Sequence, residues 1–136
     1  MKRIVLVEDH QLFADGLSSI LGKTPHLRLA SHFLTAEAAL AALPRLWADL
    51  VLMDLSLPGM NGLEALRQCK HHLPHLPVVI LSMYGERALI RSALELEVDG
   101  YLLKTATRQE LLQGIESVLQ GNRYFSTGLT EGLLGG

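Results

Sequence analysis

Short apolar runs alternate with longer segments of helical periodicity along the chain. Five runs rich in Val, Ile and Leu and bounded by turn-forming residues predict β-strands, at residues 3–7, 27–33, 49–53, 78–81 and 100–103. The segments between and after them predict helices, at residues 11–21, 35–43, 63–72, 86–96 and 107–121. This alternation is typical of an α/β fold, a doubly wound parallel sheet with helices on both faces.

Several helices carry boundary and packing signals. Thr35 is a predicted N-cap, and Thr107 with Glu110 matches a capping box. The first helix has an apolar stripe that we expect to face the core, formed by Leu12, Phe13, Leu17, Ile20 and Leu21. The end of the chain contains several glycines and no long periodicity, so residues 1–122 are predicted to form one domain and residues 123–136 a linker.

Composition narrows the class of protein. The 136 residues suffice for one domain with a substantial core. A net charge of -2 gives no basic surface for nucleic acid, so this chain alone is not expected to bind DNA. No apolar stretch approaches the roughly 18 residues that a membrane span needs, and the N-terminus lacks a signal-peptide core. With Cys69 as the single cysteine, we predict a cytoplasmic protein with a reduced thiol and no membrane partner.

Polar residues stand where four of the predicted strands end. They are Glu8 and Asp9 after the first strand, Asp54 after the third, Ser82 after the fourth and Lys104 after the fifth. The carboxyl ends of parallel strands converge on one crevice, which is where ligands bind in such sheets. The sequence therefore predicts a single site that combines three carboxylates, a hydroxyl and an ammonium group.

This set of side chains is suited to phosphoryl chemistry. Clustered carboxylates raise one another's pKa unless a cation neutralises them, and oxygen ligands favour a hard ion such as Mg2+. An Asp carboxylate can itself act as a nucleophile and form an acyl phosphate. Lys104 would supply a matching point charge, and the Ser82 hydroxyl can donate to a phosphoryl oxygen.

Four sequence blocks resemble the receiver domain of two-component response regulators. They are VEDH at residues 7–10, LVLMDLSLPGMNGLE at 50–64, VVILSMY at 78–84 and DGYLLK at 99–104. Four blocks in the right order are far more specific than one motif. The amino-acid sequences of these blocks are most similar to those of the NarL/FixJ subfamily, in which a LuxR-type helix-turn-helix output domain follows the receiver. The resemblance implies a flavodoxin-like, five-stranded parallel sheet with strand order 2-1-3-4-5.

The resemblance also implies a role for each acidic residue of the site. Asp54 looks like the phosphoacceptor. Glu8 and Asp9 look like the acidic pair that binds Mg2+ together with Asp54, and the backbone carbonyl of Ser56 would complete the protein ligands.

Three further residues match the family's signalling machinery. Ser82 and Lys104 look like the hydroxyl and lysine that contact the phosphoryl group, and Tyr101 looks like the aromatic switch that turns inward when Ser82 is drawn toward the phosphate. One departure is that Lys104 precedes Thr105, where receivers usually have proline. A cis peptide costs about 3–4 kcal/mol without proline, so the isomer of this bond is left open.

These resemblances imply a signalling function. The chain would accept a phosphoryl group from a cognate sensor histidine kinase, pair as a homodimer when phosphorylated, and regulate transcription through an output domain that is absent here. It would touch DNA only through that domain. It would not be an enzyme beyond catalysing its own phosphotransfer and dephosphorylation.

Other functions fit the residues less well. A haloacid-dehalogenase-type phosphatase needs a second Asp two residues after its nucleophile, where Ser56 stands. A flavodoxin-like redox module needs a phosphate-cradling loop after the first strand, and the acidic residues there would repel a flavin phosphate. A single-domain receiver that acts through protein contacts, with or without phosphorylation, remains the open alternative.

Overall fold

The computed structural model describes residues 1–126 and Leu129. Its centre is a parallel sheet with strand order β2-β1-β3-β4-β5-β6. The strands are β1 Lys2–Val7, β2 Leu27–Phe33, β3 Leu50–Asp54, β4 Val78–Ser82, β5 Gly100–Leu103 and β6 Tyr124–Phe125. The helices are α1 Gln11–Gly22, α2 Ala36–Ala42, α3 Gly62–His72, α4 Arg87–Glu95 and α5 Arg108–Leu119, and a 3-10 turn at Leu43–Arg45 follows α2.

The predicted α/β architecture and the order of the first five strands are confirmed, but the prediction of five strands is wrong. The sixth strand, β6, has two residues and pairs with β5 in parallel. Two residues are too few for any periodicity to indicate a strand in the sequence. This strand lies within the segment predicted as a linker, most of which falls outside the described residues.

Two apolar clusters cover the two faces of the sheet. Alternate residues of each strand point to opposite faces, so Val5 and Val7 join the cluster under α2, α3 and α4, whereas Ile4 and Leu6 join the cluster under α1 and α5. Because both faces are covered, the central strands are apolar at almost every position. This double coverage fixes the strand ends that carry the polar residues.

One residue of the predicted stripe on α1 does not face the core. Leu12 is 87% exposed, and the buried residues of the helix are Ala14, Leu17 and Leu21. At 100° per residue, Leu12 lies on the opposite side of α1 from these three. The small Ala14 therefore contacts the core in place of the leucine.

Local signals start three of the helices. The side chains of Thr35, Asn61 and Thr107 each accept a hydrogen bond from the backbone N–H three residues on, at 3.1, 3.0 and 3.1 Å. The predicted caps at Thr35 and Thr107 are thus confirmed, and Asn61 is a third. All described peptide bonds are trans, including Lys104–Thr105. Within the described chain, no helix is both long enough and apolar enough to cross a bilayer.

Candidate functional site

Strand register brings the predicted carboxylates together. Val7 of β1 pairs with Met53 of β3, so the residues that follow or end these strands, Glu8 and Asp54, lie side by side at the carboxyl edge of the sheet. Both are buried, at 0% and 1% exposed. Asp9 is the next residue along and is about a third exposed, with 32% of its side chain accessible.

Lys104 bridges the two buried carboxylates. It follows β5 directly, its ammonium contacts Glu8 Oε1, and its Nζ lies 3.2 Å from Asp54 Oδ2. The aromatic ring of Phe13 lies beneath this ammonium, 4.9 Å from Nζ to the ring centroid, in a cation–π contact. The side chain is only 5% exposed, so the positive charge is held in a fixed place.

His10 is a member of the site that the sequence reasoning missed. Its Nδ1 lies 3.7 Å from a carboxylate oxygen of Glu8, 3.7 Å from one of Asp9 and 4.0 Å from one of Asp54. One possible ligand atom from each of these four residues lies within 4.8 Å of all the others. The sequence feature that could have identified His10 is its position directly after the acidic pair and before the first turn of α1.

The pKa values of the two buried carboxyls shift in opposite directions. Burial raises the pKa of Glu8 to about 8, and the neighbouring Asp54 carboxylate adds to the rise despite the nearby Lys104. Burial alone would raise the pKa of Asp54, but the neighbouring Glu8 carboxyl and the charge of Lys104 outweigh it and lower that pKa. These shifts favour the proton on Glu8 and the negative charge on Asp54.

The donor set fits a hard divalent cation. Among the described residues, no donor makes a well-directed hydrogen bond to the buried Glu8 Oε2 or Asp54 Oδ2, although the Lys104 ammonium pairs with Asp54 Oδ2 at 3.2 Å. A buried carboxylate oxygen without a partner is costly unless a cation or proton satisfies it. Together with Asp9, these oxygens are the ligands that Mg2+ prefers. The residues present therefore fit the predicted magnesium site.

The loop after β3 positions the carboxylate of Asp54. The backbone N–H of Ser56 donates to Asp54 Oδ1 at 3.2 Å, and Gly62 N–H donates to the Leu55 carbonyl at 3.1 Å. A Cβ on Gly62 would lie 2.4 Å from the backbone oxygen of Asp54. Only glycine therefore allows α3 to begin this close to the end of β3, a requirement that the sequence reasoning did not identify. The role of the Ser56 carbonyl as a metal ligand stays a prediction.

Ser82 and Tyr101 meet on the backbone of Tyr84. The Ser82 hydroxyl donates to the Tyr84 carbonyl at 3.1 Å and accepts from the Tyr84 N–H at 3.0 Å. The Tyr101 hydroxyl donates to the same carbonyl at 3.0 Å, and its side chain is fully buried. Burial also raises the pKa of Tyr101. The predicted switch residues thus meet at one carbonyl. Tyr101 already lies inward here while Ser82 is bonded to Tyr84, so the structure does not show the expected order in which Tyr101 turns inward only after Ser82 moves. Their response to phosphate stays a prediction.

Comparison with known proteins points to one family. The family model described as response regulator receiver domain matches residues 4–116. The transcriptional regulatory protein MctR of Rhizobium johnstonii is 33% identical over 98% of this chain and 62% of its own length. The response regulator UvrY of Escherichia coli is 30% identical over 96% of the chain and 60% of its own length. The chain therefore spans about 60% of the length of these relatives.

Solved structures agree with the sequence comparison. A LuxR-family two-component response regulator from Aurantimonas has a TM-score of 0.90 and 30% identity, covering 95% of this chain and 92% of its own. The receiver domain of the response regulator NarL from Mycobacterium tuberculosis has a TM-score of 0.84 and 26% identity, covering 89% of this chain and 98% of its own. With its acidic site at the carboxyl edge of the sheet, the chain belongs to the response regulator receiver domain family.

Proposed function

We propose that Asp54 accepts a phosphoryl group from a cognate sensor histidine kinase in a Mg2+-dependent reaction. The observation that carries the proposal is the position of this carboxylate. Asp54 is buried, its pKa is lowered by its neighbours, and the ammonium of Lys104 pairs with its Oδ2 at 3.2 Å. Asp9, Asp54, the Ser56 carbonyl and Glu8, directly or through water, would hold the metal, which offsets the charge of the transferring group.

The transfer needs little covalent chemistry from the protein. A carboxylate oxygen of Asp54 attacks the phosphorus of a phosphohistidine, and an acyl phosphate bond forms. The P–N bond breaks, and its electron pair stays with the imidazole nitrogen. The Lys104 ammonium balances charge on the phosphoryl oxygens, and Ser82 can donate its hydroxyl hydrogen to one of them. The domain would thus assist its own phosphorylation.

Phosphorylation would act as a switch by moving Ser82. The Ser82 hydroxyl has one hydrogen, which the Tyr84 carbonyl accepts in this structure. If a phosphoryl oxygen takes that hydrogen, the Tyr84 carbonyl keeps only the hydroxyl of the already buried Tyr101 as a side-chain donor, and the Tyr84 peptide is free to shift. The phosphoryl group therefore gains a hydrogen bond only in the state in which Ser82 has turned toward it. Such a difference in contacts is what a shift in population requires.

The readout would be transcriptional. The relatives named above are described as regulators and extend well beyond the length of this chain. We infer that the native cytoplasmic protein continues into a helix-turn-helix domain, and that phosphorylation pairs two copies so that both output domains reach a two-half-site operator. The receiver alone, with a net charge of -2, should bind DNA negligibly.

A single-domain receiver is the second candidate. The same acidic site would serve it, and its output would be contact with another protein. The native reading frame separates the two, because a stop codon directly after residue 136 would favour the second.

The proposal is tested with a small phosphodonor. Incubation with acetyl phosphate and Mg2+ should add one phosphoryl group to the wild-type protein and none to Asp54→Asn. Asp15→Asn, a change at an exposed aspartate on α1, is the matched control and should be labelled like wild type. Full labelling of Asp54→Asn, or labelling that a chelator leaves undiminished, would disprove the proposal.

A further inference from the structure

After α5 the chain returns to the sheet and forms hydrogen bonds with β5. The Tyr124 N–H donates to the Asp99 carbonyl at 3.1 Å, and the Ser126 N–H donates to the Tyr101 carbonyl at 2.9 Å. The Ser126 hydroxyl then accepts from the Leu103 N–H at 2.9 Å. Ser126 is 1% exposed, which is unusual for a hydroxyl in a segment that leads out of a domain.

Leu129 packs against the loop between β4 and α4. It is 5% exposed and belongs to the same apolar cluster as Tyr101. Its N–H donates to the Ser126 carbonyl at 3.0 Å. A Cβ placed on Gly85 would lie 2.8 Å from Leu129 Cδ2 and 3.7 Å from Leu103 Cδ2. The Leu129 side chain therefore fills the space that the missing side chain of Gly85 leaves open.

These contacts adjoin the switch residues on both sides. Ser126 is bonded to the backbone of β5 at Tyr101, and Gly85 directly follows Tyr84, whose peptide holds the hydroxyls of Ser82 and Tyr101. A shift of the Tyr84 peptide carries Gly85 with it, because the two residues are covalently joined. The packing of Leu129 then has to change as well.

We propose that Tyr124, Phe125, Ser126 and Leu129 form a clasp that opens when Ser82 turns to a phosphoryl group. The clasp is the route by which the state of the site reaches the chain that follows the domain. The closed clasp is the arrangement in this structure, with Ser82 bonded to Tyr84. In the open state, both the Leu129–Gly85 contact and the Ser126–Leu103 hydrogen bond are lost. This inference rests on the proposed function, since it needs phosphorylation at Asp54.

Linkage makes the proposal quantitative. If phosphorylation weakens the clasp, a weakened clasp must favour the phosphorylated state by the same factor. Leu129→Ala should therefore bind the phosphate mimic beryllofluoride more tightly, by at least about 5-fold, the lower end of typical allosteric coupling. Leu119→Ala is the matched control, because it shortens a partly buried leucine of α5 that packs in the other cluster. It should leave the affinity unchanged.

The rate of hydrogen exchange at two backbone amides measures directly whether the clasp is closed. In wild type, beryllofluoride with Mg2+ should speed exchange of the Leu103 and Ser126 amides by about 5-fold or more. Gly85→Ala should expel the Leu129 side chain, because the new methyl group meets only the end of a flexible leucine. In Gly85→Ala, the Leu103 and Ser126 amides should exchange fast even without beryllofluoride, and adding beryllofluoride should change their exchange little.

The outcomes separate the clasp from the phosphoacceptor site. If beryllofluoride shifts the amide resonances around Asp54 but leaves exchange at Leu103 and Ser126 unchanged, the clasp proposal is wrong and the proposed function stands. If no resonance near Asp54 shifts, the proposed function itself fails. Equal beryllofluoride affinity in Leu129→Ala and Leu119→Ala would also overturn the clasp.

Discussion

Replacing Gly62 with alanine should disturb the site through the backbone alone. Gly62 is the first residue of α3, and a Cβ there would lie 2.4 Å from the carbonyl oxygen of Asp54 and 2.7 Å from Leu55 Cα. Carbon atoms in favourable contact are separated by about 3.5–4.0 Å. Both opposing atoms belong to the backbone at the end of β3, so a rotamer change cannot relieve the overlap.

Two effects of opposite sign compete in Gly62→Ala. Alanine in a helix gains at most about 1 kcal/mol over glycine. Overpacking costs typically about 1–3 kcal/mol, and we expect the upper part of that range because strand backbone must move. The free energy of unfolding should therefore fall by about 1–2 kcal/mol. The displaced Asp54 should also be phosphorylated more slowly by acetyl phosphate.

Urea denaturation with a matched glycine tests this reasoning. Gly16 lies within α1, and a Cβ there would meet nothing within 4 Å. Gly16→Ala should raise the free energy of unfolding by about 0.5–1 kcal/mol, since only the gain in helix propensity applies. If Gly62→Ala is as stable as Gly16→Ala and is phosphorylated at the wild-type rate, the close approach of α3 to β3 does not constrain the site.

Three further predictions concern metal binding, capping and the thiol. Asp9→Ala should weaken Mg2+ binding by orders of magnitude more than Glu8→Ala, because we expect Glu8 to act through a bound water rather than as a direct ligand; equal losses in titration calorimetry would contradict this. Thr107→Ala should lower the free energy of unfolding by about 1 kcal/mol, because the N–H of Glu110 loses its acceptor; an unchanged urea midpoint would refute the cap. Burial raises the pKa of Cys69 to about 11, so the thiol stays protonated at pH 8 and should react with iodoacetamide at least about 100-fold more slowly than in urea; comparable rates would refute its burial.

The fold followed closely from the sequence because the strands are buried on both faces. Nearly every position of β3 and β4 must be apolar, so these strands appear as continuous apolar runs, and each run ends where the first polar side chain can be accommodated. The positions of Glu8 and Asp54 were predictable for the same reason. Parallel neighbours place their carboxyl ends at one edge whatever the details of packing.

The remaining features depend on three-dimensional packing that local patterns do not encode. Phe13 was predicted as part of an apolar stripe, and only the structure places its ring under the ammonium of Lys104. Strand β6 is held by hydrogen bonds to β5 rather than by its own periodicity. The burial of Ser126 follows from the same pairing, since its hydroxyl takes the place of a strand carbonyl as acceptor for Leu103.

The central claim is that Asp54 carries the acyl phosphate, and chemical trapping tests it most directly. Borohydride reduces an acyl phosphate and converts the phosphorylated aspartate to homoserine, which peptide mass spectrometry locates. After treatment with acetyl phosphate and Mg2+, we expect homoserine at position 54 alone, and none when a chelator is present. Homoserine at Asp9 or at any other aspartate, or its absence from position 54 in a protein that has taken up phosphate, would contradict the account.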